Sequence, residues 1–71
     1  MEKLGLENNQ ISDVSALVPL TNLNELWLSD NQIFDVSALV PLTNLRILRL
    51  EENPLLDRTC PVQPESICRF E

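Results

Sequence analysis

Two consecutive 22-residue segments of this chain are nearly the same, and this internal repeat limits what the chain can fold into. Residues 4–25 read LGLENNQISDVSALVPLTNLNE and residues 26–47 read LWLSDNQIFDVSALVPLTNLRI, with 16 of the 22 aligned positions identical. A third copy opens with LRLEENPLL at Leu48 and then leaves the pattern. A fixed period of this length is typical of stacked structural units, so the repeat predicts an array in which each unit packs on its neighbours.

Each unit carries the signals of a short strand followed by a short return segment. Its Leu-x-Leu start alternates with period two, which places both leucines on one side of a strand. Asp13 and Asp35 precede the Val-Ser-Ala-Leu run as N-caps of a brief helical turn. A Val-Pro pair then disfavours helical geometry at the valine. The sequence therefore predicts an α/β repeat solenoid, with a parallel sheet on one side and short 3-10 or other turns on the opposite side.

One column of the repeat is polar although its neighbours are apolar, and it contains Asn9, Asn31 and Asn53. A buried amide needs hydrogen-bond partners, and one amide per unit can bond to the backbone of adjacent turns. We interpret this column as a structural asparagine ladder. Its loss is expected to leave buried backbone groups unpaired, at about 1–3 kcal/mol for each group.

These segments resemble the leucine-rich repeat family, whose strand signature is Leu-x-x-Leu-x-Leu-x-x-Asn. The match is LNELWLSDN from Leu23 to Asn31 and LRILRLEEN from Leu45 to Asn53, with Met1 in the first leucine position of a further copy. The 22-residue length and the Asn-x-Ile-x-Asp-Val-Ser run are similar to the bacterial internalin type, while the regulatory subunits of protein phosphatases are the nearest alternative class. The resemblance implies a curved solenoid with its strands on the concave face, used mainly for protein recognition.

Under this resemblance, the positions that alternate with the core leucines face the concave surface. Trp27 lies in the middle strand, with Gly5 on one side and Arg49 on the other, where its guanidinium can stack on the indole. Trp and Arg among polar groups are typical of an interface hot spot, although a simple covering role for Trp27 is an equally good interpretation. The predicted protein-binding residues are Glu25, Trp27, Ser29, Ile47, Arg49 and Glu51.

The composition argues against catalysis and against polyanionic ligands. The chain has no His, which excludes imidazole catalysis and His-ligated metal sites. Its net charge of −6 disfavours nucleic acid and anionic lipid, and no run of residues is apolar enough to insert in a membrane. An acidic strip is interpreted as a solvated edge rather than a calcium site. It consists of Glu7, Asp30, Glu51 and Glu52. We therefore expect no enzyme activity, no cofactor and no metal.

The period fails after the third asparagine, so residues 1–53 are assigned to the repeats and residues 54–71 to a C-terminal capping segment. Residues 64–67 are expected to form one helical turn. Cys60 and Cys68 lie eight positions apart. We favour a disulfide, worth about 2.5 kcal/mol by chain entropy, over two reduced cysteines packed as small apolar groups.

The start of the sequence gives two expectations about its context. No unit precedes Met1 to cover the first repeat, so its apolar columns would face water. The chain is either the C-terminal end of a longer exported protein, and then extracytoplasmic, or a complete cytoplasmic protein that self-associates through its uncapped N-terminal end. The leading function is a non-catalytic interaction module that binds a protein or peptide through the concave strands. The alternative is a structural capping fragment of a longer leucine-rich repeat protein, whose binding site or catalytic domain lies upstream.

Overall fold

A computed structural model describes residues 2–70, which form one parallel sheet with short 3-10 helices between the strands. Met1, which the sequence places in a leucine column, and Glu71 lie outside the described residues. The strands are β1 (Glu2–Gly5), β2 (Leu23–Trp27), β3 (Ile47–Arg49) and β4 (Cys68–Arg69), in that order across the sheet. The 3-10 helices are Ser15–Leu17, Ser37–Leu39 and Glu65–Ile67.

Strand register follows the sequence repeat. Leu4 pairs with Leu26 and Leu26 with Leu48, so each step across the sheet is one 22-residue unit. Because successive strands are offset by whole units, the leucine columns become continuous rows. The predicted repeat solenoid, with a parallel sheet opposite short 3-10 turns, is confirmed.

The core lies beneath the middle of the sheet. In the second unit, Leu26, Leu28, Ile33 and Leu39 are completely buried. Their equivalents in the first unit are only partly buried and pack against this core. Burying one such side chain fully contributes about 1.5–3 kcal/mol, so most of the apolar stabilisation comes from the second and third units.

The first two 3-10 helices begin one residue later than predicted, so Asp13 and Asp35 precede the N-cap position instead of occupying it. The N-cap position itself is a valine in both units, without a side-chain hydrogen bond. The Ser15 N–H instead donates to the Asp13 carboxylate at 2.9 Å, and the Ser37 N–H donates to Asp35 at 2.8 Å. The carboxylates thus hold the turn that leads into each helix, because an Asp side chain readily accepts from the backbone two residues on.

The segment after the third asparagine returns to the sheet edge and adds β4, a strand that the sequence did not predict. The Leu50 N–H donates to the Arg69 carbonyl at 2.7 Å. The disulfide between Cys60 and Cys68 is confirmed, with Cα atoms 5.8 Å apart, and Glu65–Ile67 form the expected helical turn. Among residues 2–70, no helix has the length and apolar character needed to cross a bilayer.

Candidate functional site: the outer face of the sheet

We define the strand face as the side chains of β1–β4 that alternate with the buried strand leucines. Sheet register arranges them in rows across the strands. One row consists of Lys3, Glu25 and Ile47, and the next of Gly5, Trp27, Arg49 and Arg69. The central side chains of both rows are half-buried, whereas Lys3 and Arg69 at the sheet edges are exposed.

Trp27 occupies the middle of this face and is held by charged neighbours. The Lys3 Nζ lies 3.7 Å from the indole centroid, and the Arg49 Cζ lies 4.6 Å from it. The indole Nε1 donates to the Glu25 Oε1 at 3.3 Å. Each cation comes from a different neighbouring strand, and a cation–π contact at an exposed site contributes about 0.5–1 kcal/mol. The ring is therefore fixed in orientation, while the side chain remains partly accessible to solvent.

Arg49 connects Trp27 to the polar end of the strands. Its Nη1 lies 3.4 Å from the Glu51 Oε2, and the Ser29 hydroxyl donates to the Glu51 Oε1 at 2.7 Å. The Arg49 Nε is buried without a hydrogen-bond partner among residues 2–70. Because the Arg49 side chain is 42% exposed, the ion pair is screened by water and adds at most about 1 kcal/mol.

The structure brings the six predicted binding residues together on two adjacent strands and the turns that follow them. Trp27 contacts Glu25 and Arg49, while Ser29 and Glu51 bond to each other. Ile47 is the register partner of Glu25 and is half-buried. Whether these residues bind a partner remains a prediction, but they form one continuous surface.

Two members of this surface were missed from the sequence. Lys3 is not among the predicted binding residues, yet it reaches the indole diagonally, as long side chains do between neighbouring strands. The register partner of Trp27 on β1 is Gly5, which has no side chain, so the contact on this side comes from Lys3. Arg69 was missed altogether because β4 was not predicted, although it is the register partner of Arg49.

The asparagine column bonds between units at two of its three positions. The Asn31 Nδ2 donates to the Leu6 carbonyl at 3.1 Å, and its Oδ1 accepts from the Ile11 N–H at 3.1 Å. Asn53 repeats both bonds one unit later, to the carbonyl of Leu28 and the N–H of Ile33. The side chain of Asn9 instead donates only to carbonyls of its own turn. An inter-unit bond thus exists only where a preceding unit is present.

The residue before each ladder asparagine adopts a left-handed backbone, which the sequence analysis did not foresee. Asn8, Asp30 and Glu52 have φ angles of 61°, 59° and 59°. Asn and Asp adopt this conformation more readily than other non-glycine residues, and their presence in two units was the available signal. Asp30 and Glu52 belong to the predicted acidic strip. Within residues 2–70, no group of three or more Asp, Glu, Cys or His side chains is arranged to hold a metal ion.

Comparison with known proteins gives a family match and a structural match. A family profile described as "Leucine Rich repeats (2 copies)" matches residues 1–41, more than half of the chain. The crystal structure of internalin C2 from Listeria monocytogenes superposes with a TM-score of 0.75 at 35% sequence identity. This match covers 90% of the present chain but 28% of the internalin C2 chain. No curated protein sequence matches the chain.

Both similarities bear on function at the level of the class. Leucine-rich repeat proteins and internalins are generally non-catalytic interaction modules, so the comparisons suggest the class of an interaction module. The chain spans less than a third of the internalin C2 chain. With its 22-residue units, Asn column and parallel sheet, the chain belongs to the leucine-rich repeat family and has the internalin-like bacterial form of the repeat.

Proposed function

We propose that this chain is a non-catalytic module that binds a protein or peptide through its strand face, with Trp27 and Arg49 at the centre. The observation that carries this proposal is the position of Trp27, the only Trp of the chain, half-buried on β2 between two cations. A side chain that is already ordered loses less conformational entropy when a partner binds. Tryptophan and arginine are also the residue types enriched in interface hot spots.

The surroundings of Trp27 support the same proposal. Glu25, Ser29 and Glu51 present carboxylate and hydroxyl groups around the aromatic ring, and Ile47 adds an apolar neighbour. This arrangement, an aromatic anchor with a polar rim, is typical of small recognition surfaces. Stacked repeats provide such a surface without a pocket, because each strand contributes one residue to every row.

The test begins with peptides selected from a random library against the folded chain. Affinity is then measured by calorimetry for Trp27→Ala and for Phe34→Ala, a control aromatic residue that is 50% exposed outside the strand face. We expect Trp27→Ala to cost more than ~1 kcal/mol of binding free energy and Phe34→Ala to cost almost nothing. Selected peptides that depend on Phe34 and ignore Trp27 would contradict the proposal.

A structural role for residues 54–71 as a cap is the second candidate, and burial at the sheet edge favours it. Cys60, Val62 and Ile67 are all less than 9% exposed and belong to the main core. They cover the flank of the third unit, where Leu48 and Leu50 are buried. We expect a chain ending at Asn53 to bind a hydrophobic dye and lose its cooperative unfolding transition. A truncated chain that unfolds like the longer one would rule out the capping role.

The opposite flank supports a proposal about self-association. Leu4, Leu6, Ile11 and Leu17 are only partly buried, and Leu20 is 41% exposed. We propose that this flank stacks on another repeat unit, supplied by the same protein or by a second copy. Light scattering over a range of concentrations should show dimers of the 71-residue chain, which Leu20→Lys should dissociate. A chain that stays monomeric at high concentration would exclude the second copy as the covering unit.

A further inference from the structure

We propose that a groove at the N-terminal ends of β2, β3 and β4 binds a carboxylate group from an acidic segment of a partner protein. The groove encloses about 610 Å³, and its walls come from the turn before β3 and from the segment that leads into β4. It contains none of the six predicted binding residues and does not require Trp27, although it shares Arg69 with the strand face. Its side chains carry positive charge and hydrogen-bond donors.

Arg46 and Arg69 give the groove its charge. Within residues 2–70, neither guanidinium has an ion pair or a hydrogen bond. By contrast, Lys3 lies over Trp27 and Arg49 pairs with Glu51. Two arginines that have no partner in the described part of the chain therefore line one groove, in a chain that has only five cationic side chains.

The other lining residues that the structure describes carry no negative charge. The chain contains 11 Asp and Glu residues, and none of those within residues 2–70 lines the groove. Thr43, Gln63 and Ser66 line it as well and bring hydroxyl and amide donors. Positive groups concentrated in a concave surface raise the local concentration of an anion, even when the whole molecule carries a charge of −6.

The walls of the groove are held by hydrogen bonds and by a covalent bond. The Asn24 Nδ2 donates to the Asn44 carbonyl at 3.1 Å, and the Asn44 Nδ2 donates to the Thr21 carbonyl at 2.8 Å. On the other side, the disulfide between Cys60 and Cys68 fixes the start of β4. An anion that enters would meet donors that are already in place, which reduces the entropy lost on binding.

The chemistry favours a protein carboxylate over a polyanion. A guanidinium presents paired N–H groups that match the two oxygens of a carboxylate. A nucleic acid would have to approach a molecule that is strongly acidic outside this groove, at a cost in repulsion. Arg69 is also the register partner of Arg49, so the groove is continuous with the strand face. A partner lying on that face can place one acidic side chain in the groove.

The experiment uses the whole chain and a defined probe. An acetylated peptide of alternating Glu and Ser is titrated into the isotope-labelled protein at low salt, and NMR follows the arginine Nε–H groups and the amides of Gln63 and Ser66. The control peptide carries Gln in place of Glu. We expect saturable shifts with the Glu peptide only. Added salt should weaken the binding, because the ion pairs between the peptide carboxylates and the arginines are accessible to solvent.

A double variant identifies the site. The double variant Arg46→Gln, Arg69→Gln should lower the affinity for the Glu peptide at least tenfold. Its fold should be unchanged, because neither side chain has a partner among residues 2–70. Arg58→Gln, at an arginine outside the groove, should keep most of the affinity. Trp27→Ala should also keep it, which separates this inference from the strand-face proposal.

Four results would overturn the inference. The first is that no NMR signals shift, and the second is that the Gln peptide shifts them as much as the Glu peptide does. The third is that Arg58→Gln and the groove double variant lose the same affinity for the Glu peptide. The fourth is that inorganic phosphate binds more tightly than the Glu peptide. The last two would assign the effect to net charge or to an adventitious ion only.

Discussion

The first and second repeats share 16 of 22 residues, yet they are buried very differently. Leu26, Leu28 and Ile33 are 0% exposed, while the identical residues Leu4 and Leu6 remain partly accessible. The same contrast holds for the ladder, since Asn31 bonds to the preceding unit and Asn9 does not. In a solenoid, then, the environment of a side chain is set by the neighbouring units as well as by its own sequence. Four pairs of substitutions at equivalent positions test this dependence on neighbouring units.

The largest difference should come from the strand leucines. We expect Leu28→Ala to lower the free energy of unfolding by about 2–5 kcal/mol, because it opens a cavity in a fully buried row. Leu6→Ala removes the equivalent side chain from a half-buried position and should cost about 1 kcal/mol. Urea unfolding followed by circular dichroism measures both. If Leu28→Ala does not fold, Leu28→Val and Leu6→Val provide the same comparison. Equal losses of unfolding free energy at the two positions would contradict the prediction.

The asparagine ladder should show a smaller difference in unfolding free energy, with the larger loss again in the second unit. Asn31→Ala leaves the Ile11 N–H and the Leu6 carbonyl without this partner, at a cost of about 1–3 kcal/mol for each group that stays buried. Asn9→Ala removes bonds only within an exposed turn and should cost less than about 1 kcal/mol. Amide hydrogen exchange at Ile11 provides a local check. Unchanged protection at Ile11 in Asn31→Ala would show that the bond between units does not hold this turn.

The left-handed position should allow a gain in stability in the third unit. Glu52→Asn replaces a residue ill-suited to φ 59° with one that tolerates it, and should raise the unfolding free energy by about 0.5–1 kcal/mol. Asp30→Asn removes the same charge from the equivalent position and should change stability much less. A similar gain in both variants would point to relief of net negative charge instead.

The smallest effect is the contribution of Asp13 and Asp35 to the pH dependence of stability. It should be the same in both repeats, because each carboxylate bonds only within its own turn. The Ser15 N–H lowers the pKa of Asp13, and the Ser37 N–H lowers that of Asp35, below the ordinary value of 3.8. A lowered pKa in the folded state means that stability is present above the unfolded pKa and is lost as the pH falls through the folded value. Unfolding midpoints measured from about pH 6 to pH 3 should therefore depend less on pH in Asp13→Asn and Asp35→Asn, and equally so. Unequal changes would mean that stacking reaches these carboxylates.

The repeated part of the fold could be predicted because its signals are local and occur several times. Leu-x-Leu identified the strands, the polar column identified the ladder asparagines, and the two cysteines identified the disulfide. β4 could not be predicted, since two residues, Cys68 and Arg69, carry no period. They pair because the edge of β3 offers unpaired backbone groups, which is a property of the folded sheet.

The candidate site was predicted in part for the same reason. Trp27 and Arg49 follow from alternation along a strand, which needs only the sequence. The contact between Lys3 and the indole, and the groove between Arg46 and Arg69, depend on which side chains meet across strands. In particular, the groove needs the position of β4, and no pattern in the sequence supplies it.

The one-unit register of the strands has a consequence for how such a gene can change. Because Leu4, Leu26 and Leu48 are spaced by 22 codons, an in-frame duplication or loss of 66 nucleotides (22 × 3) adds or removes one complete unit. Every leucine and asparagine column then continues through the junction, and the disulfide-linked segment still follows the last unit. A gain or loss of a single codon instead moves a strand's leucines to the opposite side of the sheet. Unequal recombination within this gene can therefore lengthen or shorten the parallel sheet by whole strands.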